Sequence, residues 1–135
     1  MKQAIYIASK FSSRYRLRPI KARLQSLGFP VVSKWMDTDN PTDSSSDYDS
    51  IGDDPKQSLE EAERDCWEIP KATIFIIDTQ EESLSGGRDV ELGIAIAECC
   101  KLFRVGPARN VFHFKCMEFK TWPDLIYYLE RNHHD

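Results

Sequence analysis

Short apolar runs alternate along this chain with stretches in which apolar residues return every three or four positions. Ala4-Ile5-Tyr6-Ile7-Ala8 is a compact run that predicts a first strand. From about Tyr15 to Leu27, Leu17, Ile20, Leu24 and Leu27 recur at helical spacing. Pro19 fits the first turn of that helix or delays its start, and Gly28 is a natural stop. Phe29 to Trp35 predicts a second strand. Ser58-Leu59-Glu60-Glu61 reads as an N-cap with first-turn acids, for a helix that ends near Glu68, ahead of Pro70. Thr73 to Asp78 predicts a third strand, Val90 to Cys100 a helix, and Lys101–Val105 and Asn110–Phe114 the fourth and fifth strands. Thr121-Trp122-Pro123-Asp124 opens a last amphipathic helix with Leu125, Tyr128 and Leu129 on one side. Strands that alternate with helices imply an α/β fold, here a flavodoxin-like (Rossmann-like), doubly wound, five-stranded parallel sheet in a single domain over residues 1–135.

Residues 37–54 interrupt the alternation. Seven of them are Asp, Pro41 and Gly52 act as breakers, and there is little to bury. The stretch reads as a flexible acidic loop, a solvated flap first and a substrate gate second. Asp37-Thr38-Asp39 begins like a calcium loop. Pro41-Thr42 stand where the turn glycine is required and no Glu follows at the right distance, so no metal site is expected there.

Composition narrows the classes further. With 135 residues, 41% of them hydrophobic and 30% charged, the chain can bury its own core as one domain. A net charge of −4 argues against nonspecific binding to nucleic acid or to an anionic membrane surface. No apolar run approaches the ~20 residues of a membrane span, and no signal-like segment opens the chain, so a cytoplasmic location is expected. Cys66, Cys99, Cys100 and Cys116 form no Cys-x-x-Cys pair and are expected to be reduced and mostly buried. His113, His133 and His134 show no ligand pattern. The dinucleotide fingerprint, the phosphate loop of nucleoside triphosphatases and the Gly-x-Ser-x-Gly elbow are all absent, and no cofactor is expected.

Candidate chemistry collects at the carboxyl ends of the strands, where open parallel sheets bind their ligands. Ser85-Gly86-Gly87 follows the third strand and opens into the helix that carries Glu91. Free N–H groups at a helix start favour anions, so Ser85, Gly86 and Gly87, together with Ser9, Lys10 and Arg14 after the first strand, suit a sugar phosphate. Glu91 is either a nucleophilic or acid/base carboxylate at the mouth of the sheet or a favourable acid at a helix start. Asp65 lies late in its helix, where the dipole disfavours a negative charge; it is a second site carboxylate or half of an exposed ion pair. Asp78 ends a strand, as a site residue or a turn former. Tyr6 and Trp35 either stack on a base or belong to the core. Arg88 and Asp89 read as solvent-facing.

Strand one with Tyr6-Ile7-Ala8-Ser9, then Asp65-x-x-x-Ile69-x-x-Ala72, Ser85-Gly86-Gly87 and Glu91-Leu92-Gly93-x-Ala95, together resemble the nucleoside 2-deoxyribosyltransferase family. The branch of 2′-deoxynucleoside 5′-phosphate N-hydrolases is similar in the same way. The likeness runs from Ala4 to about Phe114. Thr73 departs from an Asp common in the family, and Phe11 stands where the hydrolase branch tends to carry an Arg. The resemblance implies that Glu91 attacks C1′ of a 2-deoxyribose and that Asp65 and Asp78 serve the base side or proton transfer. It implies that Ser9, Ser85 and Gly87 hold a 5′-phosphate. It also implies a homodimer in which the segment around Asn110 reaches into the neighbouring pocket. The small-molecule partner would be a deoxynucleoside or deoxynucleotide, its N-glycosidic bond cleaved by hydrolysis or by transfer to another base. The alternative is a non-catalytic nucleotide-sensing module on the same fold. A receiver-like domain ranks below both, since Ala8-Ser9-Lys10 lacks an acidic cluster.

Overall fold

The structure is a computed structural model that describes residues 3–38 and 55–132; residues 39–54, which hold most of the acidic stretch, and His133 and His134 lie outside the described residues. Strands β1 (Ile5–Ala8), β2 (Ile74–Asp78), β3 (Lys101–Val105) and β4 (Met117–Phe119) form one parallel sheet in the order β1-β2-β3-β4. Helices α1 (Arg14–Ser26), α2 (Pro55–Glu68), α3 (Gly87–Ala97) and α4 (Trp122–Asn132) complete the fold. β1 and β2 are buried from end to end, as expected of strands covered on both faces.

Alternation along the strands assigns the two faces. Tyr6 pairs in register with Phe75, and their rings stack with centroids 5.7 Å apart. The Tyr6 hydroxyl reaches Glu91 of α3, so this row faces α3. Asp78, three residues beyond Phe75, projects to the other face. There its carboxylate is held by Arg16 of α1 and Trp122 of α4.

Among the described residues the sheet has four strands, not five. Of the expected second strand, only Val31 bridges to Ile5, through Ile5 N–H to Pro30 O and Val32 N–H to Ile5 O, each 2.8 Å. Beyond that point side chains replace the ladder. Ser33 Oγ accepts the Ile7 amide at 3.1 Å, and the Trp35 indole donates to Ile7 O at 2.6 Å. The chain can therefore turn into a 3₁₀ segment, Trp35–Asp37, while the edge of β1 stays satisfied. The expected fifth strand, Asn110–Phe114, is instead a 3₁₀ turn over Val111–Lys115. Asn110 caps it by accepting the amides of Phe112 and His113. Pairing with β3 resumes only at Met117.

Smaller corrections follow from the same kind of local bonding. α1 begins at Arg14 behind a 3₁₀ turn, which puts Pro19 in its second turn. Cys66 and Cys99 are exposed, Cys100 is half-buried and Cys116 is buried, because Cys66 faces out from α2 and Cys99 sits just past α3 at φ +60°. No helix among the described residues is long and apolar enough to cross a membrane.

Candidate active site

Gly86 adopts φ +78°, a conformation that suits glycine, and its carbonyl accepts the amides of Asp89 and Val90. α3 therefore starts at Gly87, earlier than the apolar pattern suggests, and Glu91 lies in its second turn. The loop before it is pinned by Arg88, which is 4% exposed and donates to Asp78 O and Glu81 O. Asp89 meets the fully buried His113 at 2.7 Å. The surface position expected for Arg88 is corrected, since it is buried against backbone carbonyls; Asp89 keeps a side chain 38% exposed while one oxygen ties the start of α3 to the buried His113 ring.

A cleft of about 390 Å³ opens between α2 and α3, a size suited to a small organic ligand. Its α2 wall carries Ser58, Glu61, Ala62 and Asp65, spaced to share one helical face. Ser85, Gly87, Arg88 and Glu91 form the α3 side. Ser9, Phe11 and Trp35 close the end nearest β1, with Phe11 and Trp35 packed at 6.2 Å between centroids.

At the base of the cleft the Tyr6 hydroxyl donates to Glu91 Oε2. Burial raises the Glu91 carboxyl to about 8; the Tyr6 hydrogen bond works against this, and the neighbouring Asp65 and Glu68 add to it. Burial likewise raises Asp65 to about 6, opposed by Arg64, whose Nη2 lies 3.4 Å away, and reinforced by Glu68. Tyr6 is pushed above its ordinary value, chiefly by burial and then by Glu91. The phenol thus remains a donor, and the cleft contains two carboxyl groups whose proton affinities bracket neutral pH.

Five of the expected site residues line this cleft: Ser9, Asp65, Ser85, Gly87 and Glu91. Tyr6 lies beneath it, its ring committed to Phe75, and contributes its hydroxyl rather than a stacking face. Gly86 shapes the turn next to it. Asp78 is not brought to the cleft: it is fully buried on the opposite face, where it holds Arg16 with two hydrogen bonds of 3.1 Å and accepts from Trp122 Nε1 at 2.7 Å. Arg14 is turned to the Thr38 and Phe11 carbonyls and lies over the Phe11 and Tyr15 rings. Lys10 opens the 3₁₀ turn through its carbonyl, and Asn110 is occupied as a cap. Phe11, Glu61, Arg64 and Arg88 were missed as cleft residues. The spacing of Ser58, Glu61 and Asp65 was the available signal for the α2 wall.

No protein-family model and no curated protein sequence matches the chain. Among solved structures, its fold is similar to that of a 2-deoxyribosyltransferase from the psychrotolerant bacterium Bacillus psychrosaccharolyticus. The TM-score is 0.66 at 18% identity, over 90% of this chain and 89% of that one. The resemblance read from the strand, Gly-turn and Glu-Leu-Gly segments thus has a counterpart in three dimensions: the chain carries the fold of a 2-deoxyribosyltransferase.

Proposed function

We propose that this protein cleaves the N-glycosidic bond of 2′-deoxynucleosides or their 5′-monophosphates, with Glu91 as the nucleophile. The observation that carries the proposal is the Tyr6–Glu91 hydrogen bond at the base of a cleft that Asp65 also lines. Near neutral pH the pair holds about one proton, which rests mainly on Glu91 in the free protein; in the reactive form that proton lies on Asp65, so the Glu91 carboxylate attacks C1′ as the C1′–N bond breaks and Asp65 gives the proton to the departing base. A deoxyribosyl ester on Glu91 results. Water, or a second base, then attacks C1′; Asp65 takes up the released proton and Glu91 is freed. The transition state has oxocarbenium character, which a carboxylate beside C1′ stabilises.

Ser9, Ser85 and Gly87 are proposed to receive the 5′ end. They lie together near the start of α3, where free amides and the helix dipole favour an anion, and Arg88 adds positive charge to the same wall. Lys10 and Arg14 are not part of this subsite. A homodimer is proposed as well, its contact built on the exposed Val111, Phe112 and Phe114 beside Asn110.

Incubation with each common deoxynucleoside and deoxynucleoside monophosphate, with and without an acceptor base, tests the reaction. Free base or an exchanged base is expected, together with a deoxyribosyl adduct on the peptide that contains Glu91. Saturable nucleotide binding with no bond cleavage would replace the enzyme by the sensing module.

A further inference from the structure

The segment after β3 reaches back to the Gly turn, and His113 is its centre. This ring is fully buried and takes no part in the chemistry above. Its Nδ1 accepts the Arg109 amide at 2.9 Å, so the ring hydrogen lies on Nε2. Nε2 donates to Asp89 Oδ1 at 2.7 Å. Asn110 stands beside the ring, with Nδ2 3.2 Å from Nε2, while its Oδ1 accepts the His113 amide. The Arg104 guanidinium donates to the His113 carbonyl. Asp89 is the third residue of α3, and its own amide donates to Gly86 O at 3.0 Å. From the same segment Arg109 donates to Thr79 O at 2.7 Å and to Gln80 O at 3.1 Å. The loop between β2 and α3 is thus tied near its start by Arg109, in its middle by Arg88 on Glu81 O, and at its far end by His113.

We propose that His113 and Asp89 are a positioning pair that fixes the Gly turn, and with it the amides that receive the 5′ end of the substrate. Gly86 and Gly87 are adjacent, and glycine leaves a backbone more freedom than any other residue. Amides hold an anion well only where they are already aimed at it. The bond from His113 secures α3 two residues beyond Gly87 without entering the cleft. Glu91 has its own anchor in Tyr6, so loosening Asp89 acts first on the 5′ subsite. That use of the turn rests on the deoxynucleotide reading proposed above; the ring hydrogen on Nε2 does not, and is observable in the free protein.

The test compares the native chain with Asp89→Ala and Asp89→Asn. Ala removes the acceptor, whereas Asn keeps an oxygen for the Nε2 hydrogen. The Asp89 side chain is partly exposed, so neither change empties the core. Imidazole nitrogen NMR of the native protein should place the His113 hydrogen on Nε2. Dissociation constants are measured for the common deoxynucleosides and for their 5′-monophosphates, together with base release from each. Asp89→Ala should weaken binding of the monophosphates about tenfold, on the order of one charge-assisted hydrogen bond. Binding of the unphosphorylated deoxynucleosides should stay near native, and Asp89→Asn should restore the monophosphates. A His113 hydrogen on Nδ1 would overturn the proposal. So would an equal loss for both kinds of ligand, no loss at all, or an Ala variant that fails to fold, since the pair would then serve the fold at large. Phosphate-selective weakening in a protein that releases no base would uphold the pair and refute the enzyme. Base release without that selectivity would do the reverse.

Discussion

The Tyr6 hydroxyl and the Glu91 carboxylate meet across 85 positions of sequence, joining the first strand to the helix of the Gly turn. Tyr6→Phe removes this hydrogen bond and leaves the ring stacked on Phe75. Because the bond favours ionised Glu91, its loss raises the Glu91 carboxyl further. Turnover should fall about 10- to 100-fold, equivalent to the roughly 1.5–3 kcal/mol of a charge-assisted hydrogen bond. Steady-state kinetics across pH should show the acid limb displaced upward, with thermal unfolding nearly unchanged.

Glu91→Gln should abolish turnover and stabilise the fold at alkaline pH. The folded protein holds the Glu91 proton more tightly than the unfolded chain does, up to about 8. Its contribution is favourable at low pH and is lost as pH rises through that value. Asp65 follows the same sign, its loss running from the ordinary value of 3.8 up to about 6. Urea unfolding should therefore show the Gln variant gaining on the native protein from the ordinary carboxyl value of 4.5 up to about 8, and holding that gain at higher pH. An advantage that shrinks with rising pH would contradict the assignment.

Asp78→Ala should damage stability far more than chemistry. It leaves the Arg16 guanidinium, the Trp122 indole and the Gln80 amide without their shared acceptor. A loss of about 2–3 kcal/mol is expected, chiefly from the buried Trp122 indole left without an acceptor, since Arg16 is partly exposed and keeps Glu81 at 3.7 Å. Deoxyribosyl turnover per folded molecule should stay within a few-fold of native, measured below the lowered unfolding transition.

Gly106→Ala should destabilise the junction of the β2 and β3 loops. Gly106 has φ +120°, and an added Cβ would stand 2.7 Å from both Gln80 N and Thr79 Oγ1. Backbone strain and overpacking together should cost about 2–4 kcal/mol. A chemical denaturation curve displaced by much less would show that the two loops separate easily.

Three of the strands were legible because Ile5–Ala8, Ile74–Asp78 and Lys101–Val105 are short apolar runs between breakers. The expected second strand was apolar as well, yet what ended it was hydrogen bonding by Ser33 and Trp35, which hydrophobic pattern does not report. The same holds for the Asn110 cap. Glu91 was legible from its place after a strand and a Gly turn, and the α3 side of the cleft came with it. Arg88 was misplaced because charge normally marks the surface, whereas here its guanidinium is buried on the Asp78 and Glu81 carbonyls; Asp89 is at the surface, and what the sequence did not report is its bond to the buried His113. Asp78 looked equivalent to Glu91 along the sequence; alternation along β2 puts it on the opposite face of the sheet.

The side chains of Ser33 and Trp35 do more than close the edge of β1. They fasten the aromatic end of the cleft to the strand that carries Tyr6, since Ile7 lies between the two anchor points and one position from the phenol. Trp35 and Tyr6 thus belong to one mechanical piece. The α2 wall, with Asp65, is a second piece, and Glu68 links it to the first at the Lys34 amide. A shift of α2 would change the distance from Asp65 to Glu91 while the distance from Trp35 to Tyr6 stayed fixed. The width of the cleft and the shape of its end are therefore separately adjustable by substitution.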